Sequence, residues 1–186
     1  MSLRDLSIKT AFLLALFTGS HPSDLKKIDL TTMTKTRSGF TFDCMYPKEY
    51  KIAWLHSLST RKSPTKQIFI GIYSEDILLC PYSALEVLLT KTQPWRDSTD
   101  KQRYMFLTTI TPHTSAAVDT IANWIKSIIR ISSPTSSAKD MRTMAAFFLQ
   151  NAGTNLSSIL VLGNWFSNSV YQRFYQRGIK LMLECN

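Results

Sequence analysis

Residues 3–25 of this 186-residue chain are LRDLSIKTAFLLALFTGSHPSDL, a stretch in which apolar side chains recur near helical spacing. The pattern predicts a buried amphipathic helix over residues 3–17, because Gly19 follows where such a helix would end. The segment His21-Pro22-Ser23-Asp24 then supplies a turn and a helix cap. We therefore expect a short second helix over residues 25–30.

Residues 39–73 differ from this helical beginning because they are rich in β-branched and aromatic residues. Strand-like segments at residues 40–42, 52–54 and 67–73 predict a small antiparallel sheet. Helical patterns occupy most of the remaining chain, at residues 82–89, 114–131, 139–151, 156–162 and 169–183, and residues 95–103 are expected to be a charged, flexible connection. The predicted fold class is mainly α with a small antiparallel β-sheet, an α+β fold in a single domain over residues 1–186.

The composition is that of a packed protein with an excess of positive charge. Hydrophobic residues make up 44% and charged residues 19%, which excludes collagen-like and disordered classes. Lys and Arg number 22 against 13 Asp and Glu, so the formal net charge is +9. This excess favours a polyanionic partner, either nucleic acid or an anionic membrane surface.

The cysteines bear on the cellular compartment of the chain, and the apolar segments bear on its association with membranes. Cys44, Cys80 and Cys185 are far apart and odd in number, so neither a disulfide framework nor a zinc ribbon is expected. This usage favours a reducing, intracellular compartment. The apolar run at residues 11–17 lacks the cleavage site of a secretory signal, and no stretch approaches the roughly 20 apolar residues of a membrane-spanning helix. We therefore expect no membrane association.

Several familiar catalytic chemistries are missing from the sequence. It contains no glycine-rich phosphate loop, no H-E-x-x-H, no G-x-S-x-G and no carboxylate cluster suited to Mg²⁺. These absences argue against a metal-dependent nuclease. No metal site and no small-molecule cofactor are predicted.

Three fragments of the last third combine basic, tryptophan and tyrosine residues: KDMR at 139–142, LGNW at 162–165 and YQRFY at 171–175. Together they resemble the tyrosine recombinase (phage integrase) superfamily, whose catalytic domain carries H/K-x-x-R, then L-G-H/W, then a tyrosine about ten residues later. Residues 11–25 are similar to that family's A-x-L-L-x-L-x-T-G-x-R-x-S-E-L segment. The fragments at 79–85 and 164–175 are most similar to recombinases of eukaryotic mobile elements, the crypton and DIRS-like branches.

The resemblance covers nearly all of the chain and implies a tyrosine recombinase-like catalytic domain without the separate N-terminal DNA-clamping domain. It implies a double-stranded DNA partner, strand breakage and rejoining without a cofactor, and self-assembly on the DNA. In a eukaryote this activity implies a nuclear location.

The nucleophile implied by the resemblance is Tyr175, with Tyr171 one helical turn earlier as the alternative. The tyrosine hydroxyl would attack a phosphodiester and leave a 3′-phosphotyrosyl link and a free 5′-hydroxyl. At an unperturbed pKa of about 10, only about one phenol in a thousand is ionised at pH 7. Nearby cations or a base are therefore required to assist the attack.

The resemblance also assigns the assisting residues. Arg142 would donate paired hydrogen bonds to the non-bridging phosphate oxygens, where charge builds up in the transition state. Lys139 would add charge to the same phosphate, and the indole N–H of Trp165 would donate to it once. Lys48 would protonate the departing 5′-oxygen. Other lysines could take that last role, namely Lys51, Lys62 and Lys66.

His21 stands where the family's first arginine is expected, in Thr18-Gly19-Ser20-His21. Removing one transition-state donor typically costs about 3–4 kcal/mol, and a protonated histidine would replace the arginine only in part. Two functions therefore remain open: an impaired but active recombinase, and a catalytically inactive, domesticated or decayed DNA-binding domain. A third is a basic helical protein-interaction domain with no nucleic-acid role.

Residues 21–70 carry nine Lys and Arg against four acidic residues. Such a basic stretch suits contact with DNA phosphates, although charge runs are also common on simple solvated faces. The expected DNA-contacting residues are Lys35, Arg37, Lys51, Arg61, Lys62, Lys66 and Arg173.

Overall fold

A computed structural model describes residues 1–45 and 65–163 of the chain. The first half contains helices α1 (Leu3–Thr18) and α2 (Pro22–Lys26) and strands β1 (Ile28–Lys35), β2 (Gly39–Met45) and β3 (Thr65–Gly71). The second half contains helices α3 (Pro81–Thr92), α4 (Thr99–Arg103), α5 (Val118–Ser132), α6 (Asp140–Asn151) and α7 (Leu156–Gly163), with a short 3₁₀ helix at Gln93–Trp95. The predicted α+β class is confirmed.

Helix α1 forms where the apolar spacing predicts it. Its first turn is capped by Ser2, whose hydroxyl oxygen accepts a hydrogen bond from the backbone N–H of Asp5 at 3.1 Å. Its end is set by Gly19, which adopts the left-handed conformation at a φ of 59°. Leu14 and Ala15 are fully buried, and the helix packs against α3, α5 and α6. It is therefore the central element of the core.

The predicted helix over residues 25–30 is wrong beyond its first residues. Helix α2 ends at Lys26, and β1 begins at Ile28, whose side chain enters the core. The reason is tertiary pairing: Ile28 lies opposite Cys44 and Lys35 opposite Phe40 in an antiparallel ladder with β2. Long-range pairing outweighs the local preference of a short segment.

The sheet has the order β1-β2-β3 and is antiparallel throughout. Phe40 lies opposite Ile70 and Phe42 opposite Ile68, and these four side chains are buried in the core. At Gly39 a Cβ atom would collide with the carbonyl oxygen of Ile70, so the strand needs glycine there. The strands predicted near residues 40–42 and 67–73 are confirmed, and the one at 52–54 lies outside the described residues.

The later helices follow the predicted pattern, with one shift. Helix α5 begins at Val118 instead of residue 114 because Ser115 pairs with Leu107 in a short β-bridge. Its apolar face, with Ile121 and Ile125 fully buried, packs against α1 and α2. The helices predicted at residues 139–151 and 156–162 are confirmed as α6 and α7. The helix predicted at 169–183 lies outside the described residues.

The expectation of a flexible connection at residues 95–103 is wrong. Arg96 is only 7% exposed, and its guanidinium donates to the carbonyl oxygens of Lys101 (2.9 Å), Tyr104 (2.6 Å) and Met105 (3.0 Å). These bonds fold the chain back over Arg96 and support α4. Burial lowers the pKa of the Arg96 guanidinium to about 10, so it remains charged at neutral pH.

Within the described part of the chain, the helices are all too short or too polar to cross a lipid bilayer. Cys44 and Cys80 are buried, and they form no disulfide with each other.

Candidate nucleic-acid interface

The junction between α1 and α2 fixes the backbone at His21. Thr18 and Ser20 are both buried. The hydroxyl of Thr18 lies 2.6 Å from the carbonyl oxygen of Leu14 and 2.8 Å from the hydroxyl oxygen of Ser20. With Gly19 in its left-handed conformation, these contacts turn the chain sharply. The backbone at position 21 is therefore held by Thr18, Gly19 and Ser20, and not by the ring of His21.

The imidazole of His21 caps the first turn of α2. Its Nδ1 atom accepts a hydrogen bond from the backbone N–H of Ser23 at 3.2 Å and lies 2.9 Å from the Ser23 hydroxyl oxygen. An accepting Nδ1 carries no proton, so the neutral ring has its proton on Nε2. Protonation of Nδ1 would remove this cap. A doubly protonated, cationic His21 ring therefore forms at the expense of α2.

Lys139 and Arg142 lie at the start of α6, in the K-x-x-R spacing of the sequence. Lys139 is the exposed N-cap residue, whereas Arg142 in the first turn is only 6% exposed. Cations near a helix N-terminus oppose the helix dipole by about 0.3–1 kcal/mol each. Their placement suits an anion, which the helix N-terminus and both side chains would attract together.

Asp140 is the acidic residue in this turn. Its carboxylate accepts hydrogen bonds from the backbone N–H of Ser137 at 2.7 Å and from the Ser137 hydroxyl at 3.0 Å. It closes the turn that precedes α6 and so fixes the direction in which the helix begins.

The predicted catalytic residues are described only in part. Lys139 and Arg142 share one helical turn, on a helix that packs against α1, and α1 leads directly to His21. Tyr175, Trp165 and Lys48 lie outside the described residues, as do four of the expected DNA contacts, Lys51, Arg61, Lys62 and Arg173.

The β1–β2 hairpin carries two of the expected DNA contacts. Lys35 forms an ion pair with Glu86 at 2.8 Å, and its ammonium lies 5.7 Å from the ring centroid of Tyr82. The hydrogen bond to Glu86 raises the pKa of Lys35. The pair is exposed, so a phosphate can compete for this lysine at little cost. Arg37 is exposed in the hairpin turn, and Lys66 lies on β3, opposite Cys44.

The structure contains a further basic site that the sequence does not predict. We call it the Lys26 cavity. This space of about 340 Å³ is lined by Lys26, Lys27, Asp29, Arg103 and Tyr104, together with Ile28 and Met45. The Lys26 ammonium bonds to the Ser115 hydroxyl and lies 4.1 Å from the Tyr104 ring centroid. Burial lowers the pKa of Lys26. Three cations face one carboxylate here, so the cavity carries net positive charge.

Asp29 and Arg103 form one wall of the Lys26 cavity. The guanidinium of Arg103 donates twice to the same carboxylate oxygen, at 2.8 and 3.2 Å. The other oxygen accepts from the backbone N–H of Thr31 at 3.0 Å and from its hydroxyl at 2.6 Å. Partial burial raises the pKa of Asp29, but the bonds from Thr31 and Arg103 outweigh it and lower the pKa overall. Because Arg103 follows Asp29 by 74 residues, no local pattern predicts the cavity.

Across residues 1–45 and 65–163, no three His, Cys, Asp or Glu side chains are grouped as a metal site. Comparison with known proteins adds no assignment: no protein-family model matches the sequence, and a search of the curated proteins finds no match.

Proposed function

We propose that this chain is a catalytic domain of the tyrosine recombinase type, which binds double-stranded DNA and breaks and rejoins it. The observation that carries the proposal is the placement of Lys139 and Arg142 in one turn at the start of α6. A helix N-terminus with adjacent cations favours the binding of an anion. A DNA phosphate at this helix start would meet both cations.

In the proposed reaction, the hydroxyl oxygen of Tyr175 forms a bond to the DNA phosphorus while the bond from phosphorus to the 5′-oxygen breaks. The phenol loses its proton to solvent, and Lys48 gives a proton to the departing 5′-oxygen. Arg142 and Lys139 stabilise the charge on the non-bridging oxygens, and the indole of Trp165 donates to one of them. Attack by a 5′-hydroxyl reverses these steps, so rejoining needs no cofactor.

The second candidate is a DNA-binding domain that has lost this chemistry. The observation favouring it is the hydrogen bond from the Ser23 backbone to Nδ1 of His21, because it uses the ring as a neutral cap. Under this alternative the cationic groups still bind DNA phosphates, while the transition state lacks one donor. Both candidates imply self-assembly on DNA and a nuclear location in a eukaryotic host.

DNA binding is the first test. A basic phosphate-binding surface predicts that log affinity for a duplex falls linearly with log salt concentration, with a slope of roughly −0.9 for each phosphate neutralised. Fluorescence anisotropy between low and high salt measures this slope. Undetectable or salt-independent binding would contradict both candidates and favour a protein-interaction domain.

Covalent trapping separates the two candidates. We would use nicked duplexes randomised around the nick, so that the departing strand diffuses away and a phosphotyrosyl link persists. The first candidate predicts a small trapped fraction, which Tyr175→Phe abolishes and the matched control Tyr171→Phe leaves unchanged. Trapping that survives Tyr175→Phe contradicts the assigned nucleophile. Salt-dependent binding without any trapping, even in His21→Arg, identifies the inactive DNA-binding domain.

A further inference from the structure

The loop between β3 and α3 displays apolar side chains on a structured turn. Ile77 is 72% exposed and Leu78 is 67% exposed. The turn is held by hydrogen bonds from the Leu79 N–H to the Asp76 carbonyl at 3.1 Å and from the Leu78 N–H to the Asp76 carboxylate at 2.7 Å. The exposure of these two side chains therefore does not result from a lack of local order.

This turn adjoins an apolar groove between α1 and β3. The groove encloses about 370 Å³, and its apolar side chains come from Phe17, Ile68, Phe69, Ile72 and Tyr73. Lys66, at the start of β3, also lines it. The rings of Phe17 and Tyr73 lie 5.6 Å apart, and the Tyr73 backbone N–H donates to the Cys80 sulfur at 3.3 Å, which joins the groove to the turn. We define the 69–78 surface as Phe69, Ile72, Glu75, Asp76, Ile77 and Leu78.

The charge of this region is opposite to that of the chain. Residues 67–90 contain no Lys or Arg and three acidic residues, Glu75, Asp76 and Glu86. All 22 basic residues and the other 10 of the 13 acidic ones lie elsewhere in the sequence. Because Glu86 is paired with Lys35, the net negative charge of the region is centred on Glu75 and Asp76. The surface thus combines exposed apolar side chains with local negative charge.

The exposed apolar side chains and the local negative charge together indicate the chemistry of the partner. Negative charge repels DNA phosphates and anionic lipid headgroups, which excludes both as occupants. A symmetric contact with a second copy would bring Glu75 and Asp76 of both copies together. A head-to-tail contact would place the acidic surface of one copy on the cationic surface of the next. The proposed function assigns that cationic surface to DNA, so this one step rests on the proposed function.

We propose that the 69–78 surface docks a basic amphipathic segment of a partner protein. The apolar face of such a segment would cover Ile72, Ile77 and Leu78, and its cations would meet Glu75 and Asp76. Contiguous exposed apolar patches of this kind are typical of protein interaction sites.

The probe is a fluorescent model peptide of about 18 leucine and lysine residues at helical spacing, a length chosen because shorter helices are marginal. A matched peptide with glutamate in place of lysine is the comparison. The chain is cationic overall, so non-specific attraction favours the glutamate peptide. We expect the lysine peptide to bind more tightly by at least about tenfold. Equal binding, or preference for the glutamate peptide, would overturn the proposal.

The double variant Ile77→Ser/Leu78→Ser is expected to weaken lysine-peptide binding by about tenfold or more, since both anchoring side chains are lost. The matched control is Ile110→Ser/Ile131→Ser, which alters residues 78% and 82% exposed and outside residues 67–90. Thermal melting checks that both variants remain folded. An equal loss in both variants would refute the assigned surface.

Two measurements separate this inference from other outcomes. Sedimentation without peptide tests for a second copy: self-association abolished by Ile77→Ser/Leu78→Ser would overturn the docking of a foreign segment. DNA binding is then measured for Ile77→Ser/Leu78→Ser, which should leave the affinity for duplex DNA unchanged, because neither side chain carries a charge that could meet a phosphate. A loss of DNA affinity in this variant would contradict the assigned surface. Peptide binding by a chain that does not bind DNA would refute only the proposed function.

Discussion

The Nδ1 atom of His21 accepts a hydrogen bond from the backbone N–H of Ser23 at 3.2 Å, at the position where the proposed recombinase function would require an arginine. The ring therefore serves α2 instead of presenting a permanent cation. An arginine cannot accept this hydrogen bond, because its guanidinium is a donor only. Local stability and phosphate binding thus require different side chains at position 21.

The first prediction concerns the replacement of His21 by arginine. His21→Arg should lower the free energy of unfolding by about 1 kcal/mol, because the cap is lost, while increasing covalent trapping on nicked DNA. His21→Asn should preserve the cap and give no increase in trapping. Urea unfolding and denaturing gels measure the two effects. If His21→Arg is as stable as the original chain and traps no more DNA, neither role of His21 is correct.

The second prediction concerns Arg142. Arg142→Lys keeps the charge but loses the paired donors, so trapping by the His21→Arg background should fall by about 10²–10³. The control is Arg130→Lys, which changes an exposed arginine on α5 and should leave trapping unchanged. Circular dichroism verifies that both variants retain their helices. Undiminished trapping by Arg142→Lys would exclude Arg142 from the phosphate site.

The third prediction concerns the hydrogen bonds by which Arg96 holds residues 96–105 in place. Arg96→Met should lower the free energy of unfolding by about 3 kcal/mol, because three carbonyl oxygens lose a charged donor and some remain buried. Arg37→Met, at an exposed turn, should change it by less than about 0.5 kcal/mol. Chemical denaturation followed by tryptophan fluorescence compares the two. Similar stabilities would mean that solvent replaces the Arg96 bonds.

The fourth prediction is a pH dependence arising from Asp29. Its pKa is lower in the folded chain than in the unfolded one, so the unfolded chain takes up the proton first as pH falls. The stabilisation is complete above the ordinary carboxyl pKa of about 4 and is lost as pH falls through the lower, folded value. Asp29→Asn should therefore be less stable at pH 7 and flatten the loss of stability in acid.

Urea unfolding at a series of pH values from neutral to strongly acidic tests this prediction. Asp119→Asn, which removes an exposed carboxyl from α5, should leave the acid slope nearly unchanged. An unaltered slope in Asp29→Asn would show that Asp29 does not carry the linkage.

The sequence predicts helices well where one apolar face repeats over several turns, as in α1 and α6. It fails at β1, because Ile28 joins the sheet through its pairing with Cys44, which lies sixteen residues later. It also fails around Arg96, whose acceptors follow it by five to nine residues and leave no periodic pattern.

The same distinction between local sequence patterns and long-range contacts applies to the candidate site. The K-x-x-R spacing predicts that Lys139 and Arg142 share one helical turn, and they do so at the start of α6. The Lys26 cavity depends instead on contacts between distant segments. The bond between Lys26 and Ser115 joins residues 89 positions apart. No local pattern records such a contact.

Gly19, Thr18 and Ser20 hold the turn before α2 without using the ring of His21. A histidine codon becomes an arginine codon through one base change, and the surrounding main chain would accommodate either residue. Loss or recovery of a permanent cation at this junction is therefore a single mutational step that leaves the architecture in place. Under the proposed recombinase function, gene copies that differ by one nucleotide would differ in strand-cutting activity while encoding the same fold.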